Sequence, residues 1–178
     1  MSITISPLYD AQTISRRVDE LAAEITRAYA GQELTAIIIM NGGLFFASDL
    51  LRRIDLPLYV DSLAAGSYLH HESTGKLAMR GGLKLDVKGR HVLLIDDILD
   101  TGFTLAELQK KILAGGAASC RTCVLIDKAI PPELKKAKAD WYGFRSPPQY
   151  LVGCGMDSDE LYRNLSDICI LTEQSSPD

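Results

Sequence analysis

Asp96, Asp97 and Asp100 fall within five residues, and Thr101, Gly102, Phe103 and Thr104 follow directly, in the stretch VLLIDDILDTGFTL. Carboxylates accept hydrogen bonds from sugar hydroxyls and hold magnesium, directly or through water. They repel phosphate, but the residues after them attract it. Threonine hydroxyls and the unpaired N–H groups of a helix start bind phosphate together. Gly102 permits a sharp turn and a close backbone approach. A ligand that uses both halves carries a phosphate, a diol and a metal-bound group, and a ribose 5-phosphate fits. Helix capping and solvated loop charge explain one aspartate here. They do not explain DDxxDTGxT directly after the aliphatic run 92–95.

The elements that must position this stretch follow from periodicity. Ile14, Val18, Leu21, Ile25 and Tyr29 recur at helical spacing, and Gly31 stops the pattern. Residues 35–40 (TAIIIM) read as a short buried strand, Asn41-Gly42-Gly43 as a turn and about 44–54 as a helix. A second strand covers 56–63. From 64 to about 87 the periodicity dissolves around Gly66, Gly75, Gly81, Gly82, His70 and His71. So long a stretch is a lid, a binding loop or a plain two-stranded flap. Residues 91–95 form the next strand, and 96–102 are expected to be its connecting loop. A helix from about Thr104 carries Leu105, Leu108, Ile112 and Leu113 and ends at Gly115-Gly116. Residues 121–126 are another buried strand, 140–144, 150–153 and 168–171 read as short strands, and the tail after Thr172 reads as low in order. Apolar strands alternating with helices imply an α/β fold with a mostly parallel sheet covered on both faces. Ligands of such sheets bind beyond the carboxyl ends of the strands. The loops after Met40, Leu63, Ile95 and Ile126 are therefore the ones expected to carry a site.

Composition narrows the function classes. The 178 residues suit one domain. Hydrophobic residues at 47% and charged residues at 24% are ordinary for a globular protein. No apolar run approaches the roughly eighteen residues of a membrane span, and the first ten residues lack the pattern of a signal peptide. A cytoplasmic protein without a membrane partner is expected. The net charge of −4 argues against a nucleic-acid partner. Cys120 and Cys123 have metal-knuckle spacing but no second pair, and strand positions three apart face opposite sides, so they read as ordinary thiols. Asn164-Leu165-Ser166 matches a glycosylation pattern that has no meaning in the cytoplasm. Neither GxxxxGK[ST] nor a GxGxxG after a strand occurs, so a P-loop or dinucleotide enzyme is not supported.

VLLIDDILDTGFTL resembles the phosphoribosyl pyrophosphate (PRPP) signature of the type I phosphoribosyltransferases. The acid at Asp100 narrows the resemblance to the 6-oxopurine branch, the hypoxanthine-guanine enzymes. NGGLFFASDLLRRIDLP resembles the first active-site loop and its helix, and GSY at 66–68 the start of the mobile loop. LIDKAI resembles the strand end that contacts the purine, and PPQYLVGCGMDSDELYRNL the hood over the base. The matches run in order from about residue 8 to residue 171. One domain is implied, with a hood from the N-terminal and about 145–172 segments and a mobile loop at about 65–87.

The resemblance implies attack of a purine nitrogen on the anomeric carbon of PRPP, with pyrophosphate leaving through an oxocarbenium-like state. Asp96 and Asp97 match the ribose-binding acidic pair, though many members have Glu-Asp there. Asp100 matches the general acid or base near the purine N7. Asp100, Thr101, Gly102, Phe103 and Thr104 match the 5′-phosphate loop; many relatives carry a basic residue at Phe103's position. Asn41, Gly42 and Arg163 match pyrophosphate contacts, with Asn41 standing where most relatives have lysine. Ser67 and Tyr68 match the loop that closes over PRPP; His70 and His71 read as solvated. Lys128 matches the donor to the purine 6-oxo group, Tyr150 the aromatic stacked on the base, and Leu151 and Asp157 further purine-site positions. Magnesium is the implied cofactor, held by Asp96, Asp97 and Asp157.

A rival reading is a PRPP-sensing regulator without turnover, which Asp100 and the acidic charge disfavour. A xanthine-preferring enzyme is a second rival, because backbone groups largely read the purine 2-position. The family implies a homodimer or homotetramer, and the apolar helix around Phe45, Phe46 and Leu50 supplies either an interface or core.

Overall fold

The computed structural model describes residues 2–69, 72–80 and 82–174, those at 2, 65–69, 72–80 and 174 by backbone alone. The order is β1 (Ser2–Tyr9), α1 (Ala11–Ala28), β2 (Leu34–Met40), α2 (Gly43–Leu51), β3 (Leu58–Leu69), β4 (Glu72–Arg80), β5 (His91–Leu99), α3 (Phe103–Ala114), β6 (Ser119–Lys128), β7 (Trp141–Ser146), β8 (Leu151–Val152) and β9 (Ile168–Gln174). Six strands form one sheet in the order β4-β3-β2-β5-β6-β7. All its pairings are parallel except that of β3 with β4. The expected mixed α/β architecture is thus realised. A second, antiparallel sheet has the order β1-β9-β8.

Alternation in the central strands sends side chains to two cores. Ile38, Leu93, Ile95 and Cys123 pack with Val18, Leu21 and Ile25 of α1 and Phe46 and Leu50 of α2. Ile37, Ile39, Leu94 and Cys120 pack on the other face with Leu105, Leu108 and Ile112 of α3. Burying each large aliphatic residue contributes about 1.5–3 kcal/mol. Cys120 and Cys123 lie on opposite faces as expected, and burial pushes the Cys120 thiol up to about 12. α1 starts where Asp10 accepts a hydrogen bond from the Thr13 N–H at 2.7 Å, a standard N-cap. On α2, Phe46 and Leu50 are core, whereas Leu44 and Phe45 are about two-fifths exposed (42% and 41%).

Several expectations need correction. β1 was not anticipated: Pro7 cannot donate to a ladder, and its partner β9 lies at the far end of the chain. β3 runs past Leu63 to Leu69 and pairs with β4, so much of the aperiodic stretch is a two-stranded flap. Ser67 and Tyr68 lie on β3, and their side chains fall outside the described residues, as do His70, His71 and Gly81 altogether. β5 continues through Asp96 and Asp97, because its ladder to β6 pairs Asp96 with Val124 and Ile98 with Ile126. The apolar pattern stops at Asp96, but the backbone hydrogen bonds do not. Of the expected 150–153 strand only Leu151 and Val152 pair with β9, while Gly153 bridges to Met156, and β9 extends to Gln174.

Asp61 on β3 fastens the segment that returns from the flap. Its carboxylate accepts from the N–H groups of Lys84 at 2.7 Å and Leu85 at 2.9 Å. Burial pushes its pKa up, but the N–H groups of Leu85, Ser62 and Lys84 outweigh burial and hold it below the ordinary value. Its contribution is therefore present above the unfolded carboxylate pKa and is lost as pH falls through the depressed native one. Asp61→Ala removes the acceptor of three part-buried N–H groups, those of Ser62, Lys84 and Leu85, and lowers stability by about 1–3 kcal/mol at neutral pH. In urea unfolding the gap to wild type narrows below about pH 4; a gap that stays constant under acid refutes this.

Candidate active site

The carboxyl edge of the parallel sheet gathers the chemistry-bearing residues. β2 ends at Met40, the Met40–Asn41 peptide is cis, and α2 begins at Gly43. Gly42 lies against Asp97: a Cβ there would be 2.2 Å from a carboxylate oxygen of Asp97. A Cβ on Gly43 would be 2.9 Å from the Ile95 carbonyl. Close approach to backbone requires glycine at 43, a side chain at 42 would displace the Asp97 carboxylate, and the turn 41–43 rests directly on the acidic end of β5.

Asp97 is 8% exposed, and its N–H donates to the Asp96 carboxylate at 3.0 Å. Burial, then the neighbouring charge of Asp97, pushes the Asp96 pKa well up. Burial also raises Asp97, opposed by its hydrogen bond with Asp96, by the Ile98 N–H and by the Arg163 guanidinium. Ionising the pair thus costs native stability as pH rises through the raised values. A hard cation on the pair would offset that cost. Magnesium typically takes one or two carboxylates and leaves its other positions to water and ligand oxygens, and this donor set fits it. Among the described residues no cluster of three or more acids, histidines or cysteines is poised as a metal cage.

Asp100 follows β5, and the pairing of Leu99 with Asp127 brings it to the end of β6. There the Lys128 ammonium lies 3.7 Å from the Asp100 carboxylate, with Lys128 16% and Asp100 47% exposed. Gly102 has φ +77°, a left-handed conformation that favours glycine, and caps α3. The short loop is thus 100–102, and the first N–H groups of α3, from Phe103 and Thr104, face the same edge as Thr101. Thr101 Oγ1 accepts from the Phe103 N–H at 3.5 Å.

A third segment, 150–163, leans over this edge from the small sheet. Tyr150 is half exposed, and its hydroxyl donates to the Asp157 carbonyl at 3.1 Å. Leu151 is buried in β8. Arg163 pairs with Asp157 at 2.9 Å and Glu160 at 2.8 Å and donates to the Gly155 carbonyl at 2.7 Å. The carboxylate of Asp157 is therefore neutralised by Arg163 and does not join Asp96 and Asp97. Gly155 has φ +103°, and a Cβ there would lie 1.9 Å from the Gly42 carbonyl. This contact seats the overhanging segment on the 41–43 turn.

The residues singled out from sequence thus converge as three groups: 41–43 with 96–97, 100–104 with Lys128, and Tyr150 with Asp157 and Arg163. Gly155 and Asp127 were missed. Gly155 had a visible signal in its GxG setting with Gly153, whereas Asp127, directly after the strand read over 121–126, had none. No pattern links either to its partner, which is remote in sequence.

The chain matches the family model described as phosphoribosyl transferase domain over residues 4–158. It is 38% identical over 166 residues to a hypoxanthine-guanine-xanthine phosphoribosyltransferase of Tritrichomonas foetus, covering 93% of this chain and 91% of that one. It is 35% identical over 170 residues to a hypoxanthine-guanine phosphoribosyltransferase of Aquifex aeolicus, covering 93% and 94%. A solved hypoxanthine phosphoribosyltransferase of Staphylococcus aureus superposes with a TM-score of 0.87 at 35% identity, covering 94% and 91%.

Proposed function

This chain belongs to the phosphoribosyltransferase family, and on that premise we propose that it is a purine-salvage transferase acting on hypoxanthine and/or guanine. It moves the 5-phosphoribosyl group of PRPP to the base, giving the nucleoside monophosphate and pyrophosphate. The observation that carries the reading is the meeting of Asp100 and Lys128 at 3.7 Å, between a phosphate-type loop and the Asp96–Asp97 pair.

The bond from the anomeric carbon to pyrophosphate breaks as the bond to the purine nitrogen forms, and the base loses one proton. Asp100 manages that proton at the purine N7, and the Lys128 ammonium donates to the 6-oxo oxygen. Tyr150 stacks on the base beside Leu151. Thr101, Thr104 and the N–H groups of Gly102 and Phe103 hold the 5′-phosphate. Asp96 and Asp97 hold the ribose diol. Asn41, Gly42 and Arg163 face the pyrophosphate, for which Arg163 leaves its carboxylate partners. Asp96 and Asp97 would hold a magnesium ion, which would supply positive charge against the leaving polyanion, and Asp157 would join them only once Arg163 has turned from it to the pyrophosphate. The flap built on β3 and β4 closes with Ser67 and Tyr68 over PRPP and excludes water. The small sheet serves as the hood of a single domain.

A spectrophotometric assay with PRPP, with and without magnesium, on hypoxanthine, guanine, xanthine and adenine tests the reading. Magnesium-dependent turnover of a 6-oxopurine but not adenine is expected. PRPP binding without turnover of any base overturns it in favour of a regulator. Lys128→Met isolates the base contact: a hydrogen bond to a charged group is worth about 1.5–3 kcal/mol. The KM for hypoxanthine therefore rises roughly ten- to a hundredfold, with a smaller change for PRPP. Equal rises for both substrates contradict the assignment.

Among the described residues no helix is long and apolar enough to cross a membrane, and the proposed site of action is the cytoplasm. Leu44 and Phe45, exposed on α2, support a homodimer or homotetramer, which sedimentation would resolve.

A further inference from the structure

Asp127 is a charge inside the sheet. Its side chain is 8% exposed, and the proposed chemistry does not use it. Two cations hold it: Lys135, itself 15% exposed, in a close ion pair, and Arg145, whose Nε lies 3.5 Å away. Lys135 follows a single 3-10 turn at Pro132–Leu134. That turn belongs to a strap, residues 129–139, which carries the chain from β6 to β7 across the carboxyl edge of the sheet.

The residues next to Lys135 touch the phosphate loop. The Lys136 N–H donates to the Thr101 carbonyl at 2.6 Å. Ala137 packs on Gly102: its N and Cβ lie 3.0 Å from where a Cβ on Gly102 would stand. Asp127 in turn pairs in register with Leu99, the last strand residue before Asp100. Lys128, next along, reaches Asp100. One buried ion pair is therefore flanked on both sides by contacts to the same loop.

We infer that Asp127 and Lys135 form a buckle that presses the 129–139 strap onto residues 100–102 and so sets the geometry of the 5′-phosphate loop. Both are positioning residues, since neither touches the ligand. The inference rests on the assignment of residues 100–104 to the 5′-phosphate. Thr101 and Gly102 present backbone groups whose directions depend on what lies behind them. Behind Thr101 is the Lys136 N–H, and behind Gly102 is Ala137. Releasing the strap frees both residues while leaving every side chain assigned to ligand contact chemically unchanged.

Removing the acid is a poor test, because Asp127→Ala strands two cations and endangers folding. Lys135→Met leaves Arg145 to neutralise Asp127, Lys135→Arg restores the ion pair, and Lys138→Met alters an exposed strap lysine outside the buckle. The readouts are PRPP affinity by calorimetry with magnesium, the KM of each substrate and thermal melting. Lys135→Met is expected to weaken PRPP binding about tenfold or more, within the hundredfold that an ångström of misplacement can cost. The KM for PRPP rises with it, the KM for the purine stays near wild type, and Lys135→Arg recovers most of the loss. Unchanged PRPP affinity in Lys135→Met, an equal loss in Lys138→Met, or a loss shared equally by both substrates overturns the buckle. Wild-type turnover tests the functional reading separately. An active wild type with an indifferent Lys135→Met sinks the buckle alone, and a wild type that does not bind PRPP sinks both.

Discussion

Asp100→Asn leaves PRPP bound and stops the reaction: kcat falls by about a hundred- to ten-thousandfold, the usual contribution of a positioned acid or base. The reasoning is local. Asparagine keeps the size of the side chain and its hydrogen-bonding capacity toward the loop, so the turn into Gly102 and α3 persists. What it loses is the ability to take or give a proton at the purine, together with a charge 3.7 Å from Lys128. That pair is half open to solvent on the Asp100 side, so its loss costs little fold stability. Calorimetry with PRPP and single-turnover kinetics with hypoxanthine separate the two effects. A variant that turns over at the wild-type rate refutes Asp100 as the acid or base. A variant that loses PRPP binding and activity in parallel assigns it to the phosphate instead.

Gly155→Ala is expected to cut PRPP affinity and kcat/KM about a hundredfold, the scale of an ångström's displacement at a reacting centre. The added methyl would meet the Gly42 carbonyl at 1.9 Å, and that obstacle is backbone, which cannot rotate away. Gly155 also has φ +103°, where an alanine is strained. Either the overhanging segment lifts or the 41–43 turn shifts, and the turn lies against Asp97. Both routes move Arg163 away from its proposed pyrophosphate contact. Gly31→Ala is the matched control, because Gly31 also has a positive φ (+75°) but a Cβ there meets nothing within 4 Å, and it leaves both quantities unchanged. Normal PRPP binding in Gly155→Ala refutes the claim that this contact seats the hood.

Residues that act through their neighbours in sequence were legible. Asp96, Asp97, Asp100, Thr101 and Gly102 form one stretch, and an apolar run before it places that stretch at a strand end. The two cores follow from alternation in β2, β5 and β6, and the opposite burial of Cys120 and Cys123 follows from the same pleat. Residues that act through remote partners were not legible. Asp127 looks like a solvated strand-end charge until Lys135 and Arg145 are placed beside it. Gly155 looks like a turn glycine until Gly42 lies beneath it. The extension of β5 through its aspartates was also hidden, because pairing depends on β6 and not on the hydropathy of the residues paired. Strand β1 went unread for the same reason, its ladder being completed by residues at the other end of the chain.

That last ladder bears on the order of assembly. In the small sheet β9 is the middle strand, with β1 on one side and β8 on the other. Ser2 pairs with Gln174, close to the longest separation the chain allows. Contacts of such separation bear the largest loop-closure entropy and tend to form late. During synthesis neither β1 nor β8 has a partner until β9 has left the ribosome. The 100–104 loop, α3 and the parallel strands can pack before then, but β8, which leads into Asp157 and Arg163, has no strand partner. A nascent chain is thus able to organise the half proposed to hold ribose phosphate while the proposed purine cover is still unpaired. The enzyme becomes competent only when its final strand threads between its first strand and β8.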